Sequence, residues 1–313
     1  MKTKLNPARS VLVIACVIAL VGSVAAGTVF AGECENPDTL TYAAMSQERA
    51  PVVAKRVAPM LDYIAKVTGK KVDFYMTTSY AAQIEAMLGG FADIANFGPF
   101  AYVLATEKAP GKIRVFATYT VKPMPEHFVP GGPSYKGILV SKKGSPYTSI
   151  EKIKGAVAGF PDPGSTSGWL VPNVLFTKTQ LGGMPLDKYF SKLVFTGSHD
   201  ANILAVLEGR IDVAFTWDSA PFRLWKRGEM GKPADELNLL WSSPDIPLDP
   251  YSYRTGLCPD IRAKIEKAFL TWHEQPESKD FFDSIGGTKF VPMKDQDYDV
   301  IRELYEAKKK MKE

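Results

Sequence analysis

Histidine and cysteine are scarce in this chain of 313 residues, three of each. No Cys or His has a second one at metal-ligand spacing, so a zinc-type site has no support. An excess of either charge is lacking too: 38 Lys and Arg stand against 34 Asp and Glu, a net +4, and Lys2, Lys4 and Arg9 supply most of that excess. Such a chain shows no nucleic-acid footprint, because binding a phosphate backbone needs clustered cations. Hydrophobic residues make up 45% and charged residues 23%, which excludes a disordered tail, a collagen-like repeat and a multispanning membrane protein.

What is present begins with an apolar run from Val11 to Ala26, followed by Thr28-Val29-Phe30-Ala31. The basic start, the apolar stretch and the small or medium residues at the −3 and −1 positions predict a secretory signal peptide over residues 1–31, cut after Ala31. The alternative is a retained membrane anchor; a lipoprotein is disfavoured because Cys16 sits inside the apolar run. Cleavage leaves Cys34 and Cys258 in a compartment where thiols oxidise. They either form a disulfide tying the new N-terminus to a distant loop or stand as two unrelated thiols.

The mature chain exceeds the usual size of a single core, which predicts two lobes. A repeat supports this: Ile84, Ala86, Leu88, Gly90, Asp93 and Ala95 recur as Ile203, Ala205, Leu207, Gly209, Asp212 and Ala214, each displaced by 119 positions. Both stretches place apolar residues at helical spacing, break at glycine and continue into a short apolar run, so a helix, a turn and a buried strand are made twice. The same displacement sets Ser79-Tyr80 against Ser198-His199, at the start of each helix, where free N–H groups gather. If the lobes face each other, Tyr80 and His199 look into one cleft; otherwise the two serines are simply helix caps.

Further strands are predicted at Thr39 to Ala44, Val72 to Tyr75, Val115 to Tyr119, Gly137 to Ser141, Ala156 to Gly159 and Lys192 to Thr196. Helices are predicted at Val52 to Thr68, Trp169 to Leu181, Asp260 to Trp272 and Asp297 to Lys310. This alternation implies an α/β protein of two domains with mostly parallel sheets. The chain crosses between lobes near Tyr135 and returns near Pro247 to Tyr253. Lobe 1 is then 32–134 with 251–313, and lobe 2 is 135–250. The run Lys308-Lys309-Lys310 reads as a solvated helix end, and Trp169 and Trp217 as core residues or pocket walls.

The most informative stretch is Asp162-Pro163-Gly164-Ser165-Thr166-Ser167-Gly168-Trp169, between an apolar strand and an apolar helix. Three hydroxyl residues opening a helix can offer O–H and unpaired N–H groups to a tetrahedral oxyanion, without Lys or Arg. A nucleotide P-loop would need a Lys before the Ser or Thr. A hydrolase elbow of the form Gly-x-Ser-x-Gly would need a central Ser where Thr166 stands, so pairing a Ser with His199 and Asp200 is a weak catalytic signal.

The run from Asp162 to Pro172, followed by Gly197-Ser198-His199-Asp200-Ala201 and Leu204-Ala205-Val206, resembles the periplasmic binding component of phosphonate ABC transporters, a family with members that bind phosphite and related reduced anions. The resemblance extends from Leu40 to about Tyr305. It implies a two-lobed periplasmic binding protein fold of type II, with a ligand cleft between lobes joined by two crossovers. The implied function is that of an importer's substrate-binding component for a phosphonate or phosphite. The family's oxyanion seat falls on Ser165, Thr166 and Ser167, its first-lobe tyrosine on Tyr80, its cleft histidine on His199 and its crossover aspartate on Asp249; of the aromatic pair at the first crossover only Tyr135 remains. Where aminoalkylphosphonate binders place a glutamate for the ligand ammonium, this chain has Ser219 with Asp218 beside it. Either Asp218 substitutes, or no amine is bound and the ligand is smaller.

On this reading His199 donates as a neutral or charged ring according to pH. Asp249 accepts from a P–OH or an amine and so rejects an anion with no proton to offer, such as sulfate; alternatively it is a turn residue before Pro250. The expected partners are a small phosphorus oxyanion and an inner-membrane ABC permease, with a monomeric periplasmic protein, no cofactor, no metal and no catalysis. The rivals are a sensor of the same architecture and a secreted hydrolase using Ser165 or Ser167 with His199.

Overall fold

The computed structural model describes residues 34–45, 50–125 and 128–311; the signal peptide expected over 1–31 lies outside them. The strands are β1 (Thr39–Met45), β2 (Lys71–Thr77), β3 (Ile94–Asn96), β4 (Ile113–Val121), β5 (Ser134–Tyr135), β6 (Gly137–Lys142), β7 (Val157–Phe160), β8 (Lys192–Phe195), β9 (Val213–Trp217), β10 (Leu237–Ser242), β11 (Ile246–Pro247), β12 (Tyr251–Arg254) and β13 (Gly287–Pro292). They form a six-stranded sheet, β13-β4-β12-β3-β1-β2, and a five-stranded sheet, β10-β6-β9-β7-β8. The short strands β5 and β11 pair antiparallel, Tyr135 opposite Ile246, so the two crossovers lie side by side as a ribbon.

The repeat is geometric as well as sequential. Order β3-β1-β2 in one sheet matches β9-β7-β8 in the other, and all four pairings are parallel. Helices Tyr80–Leu88 and His199–Leu207 start on serine caps: Ala82 N–H donates to Ser79 Oγ at 3.1 Å and Ala201 N–H to Ser198 Oγ at 3.0 Å. Gln83 donates from its side chain to the Asn96 carbonyl at 2.7 Å, and Asn202, 119 residues later, to the Phe215 carbonyl at 2.8 Å. Asp93 accepts from Thr41 N–H, and Asp212 from Val157 N–H. Each carboxylate thereby fixes where the third strand of its unit meets the first.

The sheets are not mostly parallel. β4, β12 and β13 in the first, and β6 and β10 in the second, pair antiparallel. These strands lie outside the repeated units, and several belong to stretches entering a lobe from the other half, where no helical crossover imposes a common direction. The first sheet is packed into one large apolar core; the second is covered by one cluster around Phe160, Phe176 and Phe215 and another around Ile138, Ile203 and Leu224.

The helix expected from Trp169 starts earlier, at Thr166. It runs as two π-helical segments, Thr166–Leu170 and Pro172–Phe176, into Thr177–Gln180. Pro172, lacking an N–H, sits where the wider winding already breaks the regular ladder. Leu170, Val171 and Val174 of this helix join the core of the first sheet. Helices Pro259–Thr271 and Asp299–Lys310 complete that side. The lysine run ending the latter is not simply solvated: Lys309 pairs with Glu107 at 2.6 Å, and the Lys308 ammonium lies 4.9 Å from the Trp169 ring centre. Cys34 and Cys258 form a disulfide, beside a bond from Cys258 N–H to the Glu35 carbonyl.

Candidate functional site: an anion cleft between the two sheets

Parallel strands end at their carboxyl edges where helices begin, and here four such helix starts converge. Tyr80 and His199 are the first residues of the paired helices, Thr166 opens the π-wound helix, and Pro99 opens Pro99–Lys108. Together they bound a cleft with about 120 Å³ of free space, the room of roughly four water molecules. Helix N-termini carry partial positive charge and unpaired N–H groups, so this convergence favours an anion.

Of the residues singled out from the sequence, Tyr80, Tyr135, Ser165, Thr166, Ser167, His199 and Asp249 all line the cleft. Ser165 caps its helix, with Oγ accepting from Gly168 N–H at 3.1 Å, and also lies 3.2 Å from His199 Nε2. Thr166 Oγ1 accepts from Phe100 N–H at 2.9 Å, joining the serine-rich turn to the opposite helix start. Tyr80 packs across the cleft so closely that a Cβ on Gly98 or on Gly164 would stand 2.8 Å from it; glycine at both positions lets the phenol reach Ser165.

Protonation follows from burial. Desolvation lowers His199 to about 3, assisted by the charge of Arg223, so the ring is neutral at physiological pH. Its Nδ1 lies 2.9 Å from Thr216 Oγ1. Burial raises the phenols of Tyr80 and Tyr135, and the Asp249 charge adds to it; both remain O–H donors. The Asp249 carboxyl is pushed up to about 7 by desolvation, with Arg223 pulling the other way. Its backbone is held at three successive carbonyls: Leu248 accepts from Tyr298 O–H at 2.8 Å, Asp249 from Thr118 O–H at 2.9 Å, and Pro250 from Phe97 N–H at 2.9 Å.

Asp218 is not brought to the cleft. Trp217 ends β9 and lines it, and at Asp218 the backbone turns into the helix Ser219–Lys226. Asp218 is fully buried, accepting from Lys136 N–H at 2.8 Å and Ser219 O–H at 3.1 Å, so its carboxylate holds the first crossover. Ser219 is buried beside it and does not line the cleft. Trp169 is also outside, packed between Phe160 and Phe195. Among the described residues, no group of His, Cys, Asp and Glu could hold a metal ion.

Several residues escaped the sequence, among them Arg56 and Arg227 on the cleft wall. Thr216 orients the histidine from the strand before Trp217. Arg223 places a guanidinium on the cleft wall, 4.6 Å from the Trp217 ring centre, with one terminal N–H donating to the Tyr119 phenol oxygen at 3.3 Å. The hydroxyl seat itself contains no cation, yet the cleft does. The available signal was that Arg223 falls one helical turn after Ser219, just beyond a strand that ends at the cleft.

Two α/β halves joined by paired crossovers, with helix starts and hydroxyls converging between them, define a two-lobed binding protein for a small anion. The model of the family described as "ABC transporter, phosphonate, periplasmic substrate-binding protein" matches residues 42–298. The chain belongs to that family and is the substrate-binding component of an ABC transporter. It is 29% identical over 275 residues to the phosphonates-binding periplasmic protein of Escherichia coli K12, covering 86% of this chain and 77% of that one. It is 27% identical to the phosphate-import protein PhnD of Mycolicibacterium smegmatis, covering 86% and 85%. A solved binding-protein component of a Pseudomonas aeruginosa ABC phosphonate transporter superimposes with a TM-score of 0.76 at 27% identity over 88% of each chain.

Proposed function

We propose that the cleft binds a small phosphorus oxyanion, a phosphonate or a reduced anion such as phosphite, and delivers it to an inner-membrane permease. One observation carries this reading: Ser165, opening a helix on one side of the cleft, is hydrogen-bonded to the neutral His199 while Tyr80 closes on it from the other side. With Oγ accepting from Gly168 N–H and from His199 Nε2–H, the Ser165 proton donates to the Tyr80 oxygen and turns to the ligand when one enters. Thr216 O–H then donates to Nδ1 and fixes that tautomer. Ser167, Thr166, Tyr80 and Tyr135 supply further donors. Uncharged Asp249 donates to, or accepts from, a protonated oxygen. A preorganised donor set offsets the hydration lost by the anion.

The protein acts as a monomer exported by the signal peptide over residues 1–31, with lobe 1 spanning 32–134 and 251–313 and lobe 2 spanning 135–250; the membership of the two sheets supports this division. It is not an enzyme. Ser165 and His199 approach like a hydrolytic pair, but the second ring nitrogen faces a threonine rather than a carboxylate, and a ring lowered to about 3 is a poor general base.

Calorimetry with phosphite, methylphosphonate, 2-aminoethylphosphonate, phosphate and sulfate tests the reading. At least one phosphorus anion binds with micromolar affinity or better and sulfate does not. Ser165→Ala and His199→Ala each weaken the bound ligand at least tenfold, about 1.4 kcal/mol. Unchanged affinity in both variants rejects the site.

A further inference from the structure

Arg223 is a cleft cation without a counter-ion. Arg210, Arg227, Arg254 and Arg302 each pair with a carboxylate. Arg223 has no ion pair among the described residues: its neighbours are the Trp217 ring and the Tyr119 hydroxyl, and its Nε is buried with no hydrogen-bond partner. A guanidinium keeps its charge at any physiological pH and suits a planar carboxylate through two parallel N–H groups. Arg223 is partly buried, and leaving its inner nitrogen without a partner costs free energy that an anion entering the cleft would offset. The acid nearest in effect, Asp249, is drawn down by Arg223 but does not pair with it, and it loses its own charge below about pH 7.

The Trp217 ring borders both anion-holding points. His199, bonded to Ser165 of the hydroxyl seat, packs on it at 6.4 Å between centroids, and Arg223 lies at 4.6 Å. We infer that Arg223 forms a second anionic subsite, so that the preferred ligand is a small phosphonate carrying a carboxylate on a short carbon chain. The hydroxyl seat takes the phosphonate, the carboxylate meets Arg223, and an ammonium at the same place is repelled. This rests on the proposed reading of the hydroxyl seat.

The test is calorimetry of the mature protein with phosphonoacetate, methylphosphonate and 2-aminoethylphosphonate, on the wild type, Arg223→Gln and Arg223→Lys, with thermal melts to establish that each variant is folded. Wild type binds phosphonoacetate at least tenfold tighter than 2-aminoethylphosphonate. Arg223→Gln weakens phosphonoacetate at least tenfold more than it weakens methylphosphonate, and Arg223→Lys recovers part of that difference. Equal or tighter binding of 2-aminoethylphosphonate, or equal losses for both anions in Arg223→Gln, overturns the second subsite while leaving the hydroxyl seat intact. If no phosphonate binds the wild type, methylphosphonate included, the hydroxyl-seat reading falls and the subsite with it.

Discussion

At the scale of single residues, the cleft sets donors by controlling which groups stay neutral. Burial removes the charge of His199 and raises the Tyr80 and Tyr135 phenols, so these groups donate without adding charge. Asp249 is the group that switches near neutrality. Its raised value means that it is uncharged below about pH 7 and repels an anion above it. Because the ligand's own titration cancels between variants, the ratio of wild-type to Asp249→Asn affinity for methylphosphonate isolates the effect. That ratio falls as pH rises through 7; a ratio constant from pH 5.5 to 8.5 would show that the carboxyl does not face the ligand. The hydroxyl run and His199 were legible because their chemistry is local: a capping pattern at a helix start and one rare residue. Arg223 follows Trp217 by six residues, but its place on the cleft wall beside Tyr119 exists only after the two halves are brought together. The place of Asp218 was not legible either, since the chain leaves β9 at Trp217 and turns into a helix at Asp218, a change of direction that the apolar pattern does not mark.

At the scale of elements, six identities at one displacement revealed a unit that recurs with the same caps, the same side-chain bonds and the same strand order. The pattern could not show which strands run antiparallel, because β6 and β12 take their direction from the crossovers that deliver them. Nor could it reveal π winding at Thr166, since apolar spacing around Pro172 reads equally as a regular helix. The unit in the second half depends on close packing of strand and helix. A Cβ on Gly159 would stand 2.1 Å from Asn202 Oδ1 and 2.3 Å from Ile211 Cδ1. Gly159→Ala therefore displaces helix His199–Leu207 and costs roughly 1–3 kcal/mol, seen as a lower Tm together with weaker ligand binding through His199. A melt unchanged from wild type would contradict this packing.

At the scale of the whole molecule, the disulfide between Cys34 and Cys258 closes a loop across 224 residues of sequence. Of the two alternatives left by the sequence, the bridge is the one formed. In the chain-entropy view, a loop of that length restrains the unfolded chain by up to about 5 kcal/mol. Neither cysteine lines the cleft, so Cys258→Ser lowers stability to urea by about 2–5 kcal/mol while ligand affinity stays within about twofold. Equal stability in the variant would remove the bridge from the account. The cleft draws on both halves: Tyr80 and Asp249 come from stretches packed on the first sheet, Ser165 and His199 from those on the second.

A crystal structure of the mature protein with methylphosphonate is the most direct test. The phosphonate oxygens are expected within hydrogen-bond distance of the Ser165 and Ser167 hydroxyls and of the Tyr80 phenol. A phosphonate found elsewhere on the protein, with those three side chains touching only one another, would contradict it.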